Sequence, residues 1–278
     1  MKLFLNSTGQ VRNIWWVGIF FGVLALITVP LIFLSQAYKW KITITHQAFI
    51  VVAASWICQL IRKKPFKELT GVINYRWFKH FLTGSGVGAA LMLFPALFLY
   101  LGGWVSWQTS SVEIMPLLSA SGLFIAVAVA EEFLFRGFIF QRLMDGFGKW
   151  PAQLIMAGYF LLIHMNNPGM TGSIKLFASI NIFLASIMFG LAFIKFRSLA
   201  MPIGLHFMAN WVQGTLLGFG VSGNEETSLL KPLFHNAPQW LTGGSFGLEA
   251  SVPGLIFVII SIILLYKWNH KIIINYAG

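Results

Sequence analysis

Between Glu131 and Arg136 the chain reads Glu-Glu-Phe-Leu-Phe-Arg, two carboxylates and a guanidinium inside an otherwise apolar run. Charges at bilayer depth cost roughly 2.5–3.5 kcal/mol each on insertion scales, so three of them so close together point to a buried site that keeps them. On a helix each residue turns by about 100°, which sets Glu132 and Arg136 on one face as an ion pair and turns Glu131 away from that line. Glu131 then needs a group from another segment. Candidates are His164, with Phe160 one helical turn before it, and His206, with Asn210 one turn after it. A carboxylate and an imidazole in a dry pocket can hold a water between them, the carboxylate taking its proton as it attacks an amide carbonyl. A second imidazole beside a carboxamide supplies donors for the oxyanion that forms. Glu131, His164, His206 and Asn210 are therefore the candidate catalytic residues, and Glu132, Arg136 and Phe160 their structural support. Each also has a plainer reading, Glu132 and Arg136 as a structural pair and a lone membrane histidine as a packing residue. HExxH does not occur, which counts against a zincin, and no serine nucleophile elbow is expected.

These residues need a membrane scaffold to hold them. Of 278 residues, 57% are hydrophobic, 16% aromatic and 10% charged, a composition of polytopic membrane proteins. The net charge of +11 does not signal nucleic acid, because the basic residues sit in short clusters between apolar runs. The single Cys58 rules out an intramolecular disulfide. The first apolar run, Asn13 to Tyr38, is too long for a signal-peptide core and is expected to stay as the first span. Apolar length predicts an all-α transmembrane helical bundle of about eight spans, at 14–36, 43–61, 80–103, 115–140, 151–166, 175–194, 199–217 and 250–267.

Under that layout fourteen basic residues fall on one face, from Lys2 and Arg12 through the cluster Arg62–Lys79 to Lys267 and Lys271. Lys39, Lys41, Lys175 and Lys231 fall on the other, so both termini are expected to be cytoplasmic in a multi-pass cell-membrane protein. Counting about 1.5 Å per residue from the expected cytoplasmic helix starts puts His206 about 10 Å deep, Glu131 about 13 Å and His164 about 20 Å. That would open the site toward the cytoplasmic half. Residues 64–79 suit an amphipathic helix on the headgroups. Residues 218–249 read as an external loop with turns at 221–224 and 242–244. The whole chain, 1–278, reads as a single membrane domain, with three N-terminal spans in 1–112, a catalytic core in 113–218, and the external loop and last span in 219–278.

At these motifs the sequence resembles the CAAX-processing and bacteriocin-processing (CPBP, or Abi) intramembrane proteases. The family's EExxxR matches Glu131, Glu132 and Arg136; its FxxxH matches Phe160 and His164; its HxxxN matches His206 and Asn210. Downstream, FGVSG and LTGGSFGLEA are similar to the bacterial branch. The resemblance implies a glutamate-dependent endopeptidase in which Glu131 and His164 activate water, His206 and Asn210 hold the oxyanion, and Glu132 with Arg136 braces the site. No cofactor is expected on this reading. An older alternative makes Glu131, His164 and His206 zinc ligands, which leaves Asn210 without an obvious task. The expected partners are the lipid bilayer and a peptide or protein substrate: a prenylated CAAX protein, a peptide pheromone, a bacteriocin precursor or another membrane-associated peptide. Nucleic acid is not expected, and no oligomeric state is implied. The main rival is a non-proteolytic membrane scaffold or bacteriocin-immunity protein of the same fold. A proton-coupled transporter, which would also use buried Glu and His, lacks the expected pair of broken helices.

Overall fold

The computed structural model describes residues 4–5 and 9–268. Lys2 and Lys271, which enter the charge-bias argument above, lie outside the described residues. Helices dominate: α1 (Asn13–Ala37), α2 (Ile44–Ile61), the single turn α3 (Lys67–Thr70), and α4 (Tyr75–Leu101). A short strand β1 (Val105–Thr109) leads to α5 (Ile114–Glu132), which continues through a π-helical turn, Phe133–Gly137, into α6 (Phe138–Phe147). Then come α7 (Lys149–His164), α8 (Gly172–Phe196), and α9 (Ala200–Trp211) with a second π turn, Val212–Leu216. Strand β2 (Leu230–Phe234), the turn α10 (Gln239–Thr242) and α11 (Val252–Lys267) complete the described chain. Five helical stretches are long and apolar enough to cross a membrane: α1, α2, α4, the 34-residue α5–α6 stretch and α8. The chain is an all-α membrane bundle.

Local chemistry explains the boundaries. Thr43 and the His46 ring form a reciprocal cap on α2, the Asn74 side chain accepts from Trp77 N at the start of α4, and Ser251 accepts from Gly254 N at the start of α11. The α8–α9 corner turns on Arg197, which takes up the left-handed conformation at φ 50°. Between α4 and α9 the backbones touch. A Cβ on Gly84 would lie 2.2 Å from Met201 O, and one on Gly88 2.2 Å from Leu205 O. This small-residue stripe lets helices approach where no hydrophobic effect drives them together.

Contacts sort the connections into two opposite faces. At one, Glu68 pairs with Arg62 at 3.2 Å and Arg142 at 3.0 Å, and the Ser198 hydroxyl donates to Thr70 O at 3.0 Å. Asn13 lies against Gly146 there, and Lys195 donates to Trp268 O. At the other face, β1 and β2 pair antiparallel, with Val105 opposite Phe234 and Thr109 opposite Leu230. Ser222 donates to Glu249, and Gly223 abuts Pro168.

Two expectations need correction. Residues 64–79 do not form an amphipathic surface helix: α3 is one turn with Leu69 fully buried, Gly71 breaks it at φ 78°, and α4 already begins at Tyr75. The ion pairs of Glu68 tie this segment to α2 and α6 instead. Residues 218–249 do turn at 221–224, where Val221 and Asn224 bridge, and at Gly243–Gly244, but they also contribute β2 and fold back over the helices.

Candidate active site

Three helices bring the predicted residues together. Glu131 and Glu132 end α5, His164 ends α7, and His206 and Asn210 lie on α9. A π turn, Phe133–Gly137, follows Glu132 and contains Arg136, and a second, Val212–Leu216, begins two residues after Asn210; such distortions recur at functional sites. Glu131 Oε1 lies 4.0 Å from His164 Nε2, and its Oε2 lies 3.8 Å from His206 Nε2. Both gaps exceed a direct hydrogen bond and are of a size that a water bridges.

The other ring nitrogens are already engaged. His164 Nδ1 lies 2.7 Å from Phe160 O and so donates to it, and His206 Nδ1 lies 2.9 Å from Glu132 Oε1. With each Nδ1–H committed, each Nε2 is turned to Glu131 as an acceptor unless its ring takes a second proton. Glu132 also accepts from Arg136 Nη1 at 3.1 Å, the ion pair expected from the spacing. Arg136 is 1% exposed, and it donates through Nη2 to Ser186 O at 3.0 Å and to the Ser186 hydroxyl at 2.8 Å. Its guanidinium lies 5.0 Å from the Phe160 ring centre and 4.9 Å from that of Phe189. Phe160 contacts the His164 ring at 4.5 Å, and Phe189 stacks on the His206 ring at 4.9 Å and 19°. One cation therefore sits beneath both aromatic supports.

Above this floor is a cavity of about 390 Å³, with Glu131, His164, His206 and Asn210 in its wall. All four candidate catalytic residues face the same space. Glu132 and Arg136 do not line it; they lie behind it, fully buried.

Several site residues were missed in the sequence. Phe189 serves His206 as Phe160 serves His164, yet one Phe among 27 gives no signal. Glu249 lines the cavity from the 248–250 turn and accepts from Ser222 N and, at 3.0 Å, from its hydroxyl. Burial pushes the Glu249 carboxyl up, while the bonds from Ser222 and the nearby imidazoles draw it back. Asn181, almost fully buried, donates to Glu249 O. An Asn inside an apolar helix was the available signal for it. One passed-over pattern carries nothing: Gly243-Gly244-Ser245-Phe246-Gly247 has Gly-x-Ser-x-Gly spacing, but it follows directly on the helical turn α10 instead of a strand, and Ser245 lies outside the cavity wall.

Between Glu131 and the end of α6 the chain leaves helical geometry at Gly137, where ψ is −122°. As a metal set, Glu131, His164 and His206 are chemically suitable, but tetrahedral zinc with ligands at about 2.0–2.1 Å would hold donors about 3.3 Å apart. The gaps of 3.8 and 4.0 Å are wider, and among the described residues no group of three His, Cys, Asp or Glu is arranged to hold a metal.

A membrane helical bundle that buries carboxylates, imidazoles and a carboxamide around one cavity has the layout of an intramembrane hydrolytic site. Residues 113–212, which carry all three motifs, match the family model for type II CAAX prenyl endopeptidase, Rce1-like. No curated protein matches the chain.

Proposed function

We propose that the protein is an intramembrane endopeptidase that hydrolyses a peptide bond with a water held between Glu131 and His164. The observation that carries this reading is the convergence of the Glu131 carboxylate and two imidazole Nε2 atoms, 3.8 and 4.0 Å away, on the wall of one cavity. A water in the Glu131–His164 gap is oriented by both groups. Its oxygen adds to the scissile carbonyl carbon while Glu131 takes a proton. The carbonyl oxygen becomes an oxyanion beside Asn210 and His206. Asn210 donates through its amide; His206, whose Nδ1–H goes to Glu132, donates at Nε2 in the imidazolium form. Glu131 then returns the proton to the leaving nitrogen as the C–N bond breaks. Glu132 and Arg136 brace His206, and Phe160 braces His164.

No step is routed through a metal; the gaps of 3.8 and 4.0 Å, against roughly 3.3 Å between donors on a tetrahedral zinc, support that choice. The substrate is a membrane-associated peptide, either a prenylated CAAX segment, as the family description suggests, or a peptide precursor. Purified protein is tested for peptide cleavage in liposomes beside Glu131→Gln and His164→Ala, with and without chelator. Cleavage that resists chelation and vanishes in both variants supports the reading. A cellular phenotype that survives both changes would instead favour a scaffold or immunity role, and chelator-sensitive activity restored by zinc would favour the metal alternative.

A further inference from the structure

The charges around the cavity run against those of the chain. The protein has a net charge of +11, with 19 Lys and Arg against 8 Asp and Glu. Three of those acids, Glu131, Glu226 and Glu249, line the cavity, and among the described residues no Lys or Arg does. Glu132 lies behind the wall, and Arg136 balances it. A concave wall of one sign concentrates its field on whatever enters. Glu131 is taken up with the two histidines, but Glu226 and Glu249 have no part in the hydrolytic step.

Glu249 has a structural task that uses half of its carboxylate. The Ser222 N–H and hydroxyl both donate to Oε1, which pins the turn at 221–224, and Oε2 has no hydrogen-bond partner among the described residues. Burial pushes this carboxyl up; the groups that offset burial are Ser222 and the imidazoles of His164 and His206, with no Lys or Arg among them. Asn181 gives a second, independent sign of an absent partner. It is 2% exposed and stands in the same wall; its Nδ2 donates to Glu249 O, and its Oδ1 is a buried acceptor without a hydrogen bond. Buried acceptors are rarely left so. An ionised Oε2 and the Asn181 Oδ1 both accept, so the group that satisfies them brings several N–H donors and, among carboxylates, a positive charge.

We infer that Glu249 and Asn181 form a subsite for a Lys or Arg side chain of the peptide substrate, with Glu226 adding to the attraction. The subsite deepens the protease reading and rests on it only for the peptide being cut. Glu249 lies close enough to His164 and His206 to feel the charge of both rings, so the cationic side chain flanks the scissile bond. An acidic side chain at that position would add a like charge to the wall and is disfavoured.

Wild type and Glu249→Gln in liposomes are given N-acetylated, internally quenched peptides in pairs that differ only in Lys against norleucine, or Arg against citrulline, at each position around the scissile bond. Wild type is expected to favour the cationic member by at least about tenfold in kcat/KM at one flanking position, the scale of one charge-assisted hydrogen bond. Glu249→Gln should bring that ratio close to one, and Glu249→Asp should keep part of it. Equal rates in wild type, or a preference that Glu249→Gln leaves intact, overturn the subsite. A second measurement keeps every residue of the subsite in place, and so reports even where Glu249→Gln does not fold. In Glu131→Gln protein, a peptide carrying a diazirine-bearing lysine at the favoured position is expected to crosslink to the segment around Asn181 or to 222–249, as read by mass spectrometry. Crosslinks confined to other segments overturn the assignment. If wild type cleaves neither member of any pair but the crosslinks fall as expected, the protease reading fails and the cation subsite stands.

Discussion

Replacing Arg136 with Met tests the floor of the site apart from any catalysis. Arg136 is 1% exposed and neutralises Glu132, which is 0% exposed. Met roughly keeps the length of the side chain and its contact with Phe160 and Phe189 but removes the charge and the bonds to Glu132 and Ser186. Glu132 is then an ionised group with His206 Nδ1 as its remaining hydrogen-bond partner, its other oxygen having none among the described residues. Removing one member of a buried pair costs about 3–5 kcal/mol. The corresponding loss of melting temperature is about 6–20 °C by the scaling of chains of 150–250 residues. The double variant Glu132→Gln/Arg136→Met leaves no buried charge there, keeps an acceptor for His206, and is expected to recover more than half of the loss. The assay is thermal unfolding of detergent-purified protein, read as a cycle of wild type, both single variants and the double. If Arg136→Met melts within about 2 °C of wild type, or the double variant is as unstable as the two singles combined, the pair does not carry the charge balance argued for it.

Glu131→Gln is expected to lower peptide cleavage by about 10²–10⁴-fold with the melting temperature unchanged, since Glu131 faces a cavity and supports no packing; rate and melting curve on the same preparation check it. Gly88→Ala should cost about 1–3 kcal/mol and reduce cleavage by moving α9 with His206 and Asn210, because the new Cβ meets Leu205 O at 2.2 Å. Its control, Gly86→Ala, points into open space and should match wild type or gain up to about 1 kcal/mol in thermal unfolding. Phe189→Ala is expected to slow cleavage more than tenfold while Phe189→Tyr retains a stacking ring, as measured by turnover at saturating peptide. Cys58, fully buried, should resist maleimide in folded protein and label on denaturation, which mass spectrometry reads directly.

The helical positions were legible because membrane solvent imposes a simple rule: a backbone in hydrocarbon satisfies itself, so apolar length shows where helices run. The pair Glu132–Arg136 was legible because both ends of that contact lie on one helix at fixed spacing. The meeting of Glu131 with two histidines was legible as a need, since an intramembrane acid requires partners, and its partners were the few polar groups in other apolar segments. What the sequence hid was non-local. β1 and β2 are five residues each, one of them contains Pro232, and they pair across more than a hundred positions. Glu249 lies in a segment whose Gly, Ser and Asn content describes any polar loop, and only the fold carries it to the cavity. The 64–79 stretch misled because its apolar residues at helical spacing are divided between a buried turn and exposed positions by Gly71. Gly84 and Gly88 were readable as a close-packing stripe one helical turn apart, a signal available and unused.

The π turn at Phe133–Gly137 holds one residue more than an α-helix needs to bridge the same rise. Deleting Leu134 would let this stretch relax to ordinary helix, and Arg136 would then stand three places from Glu132, still its neighbour but about 100° round to the other side of it. The guanidinium would have to be aimed afresh at Glu132, Ser186 and the two rings together, a fit that the surplus residue now supplies.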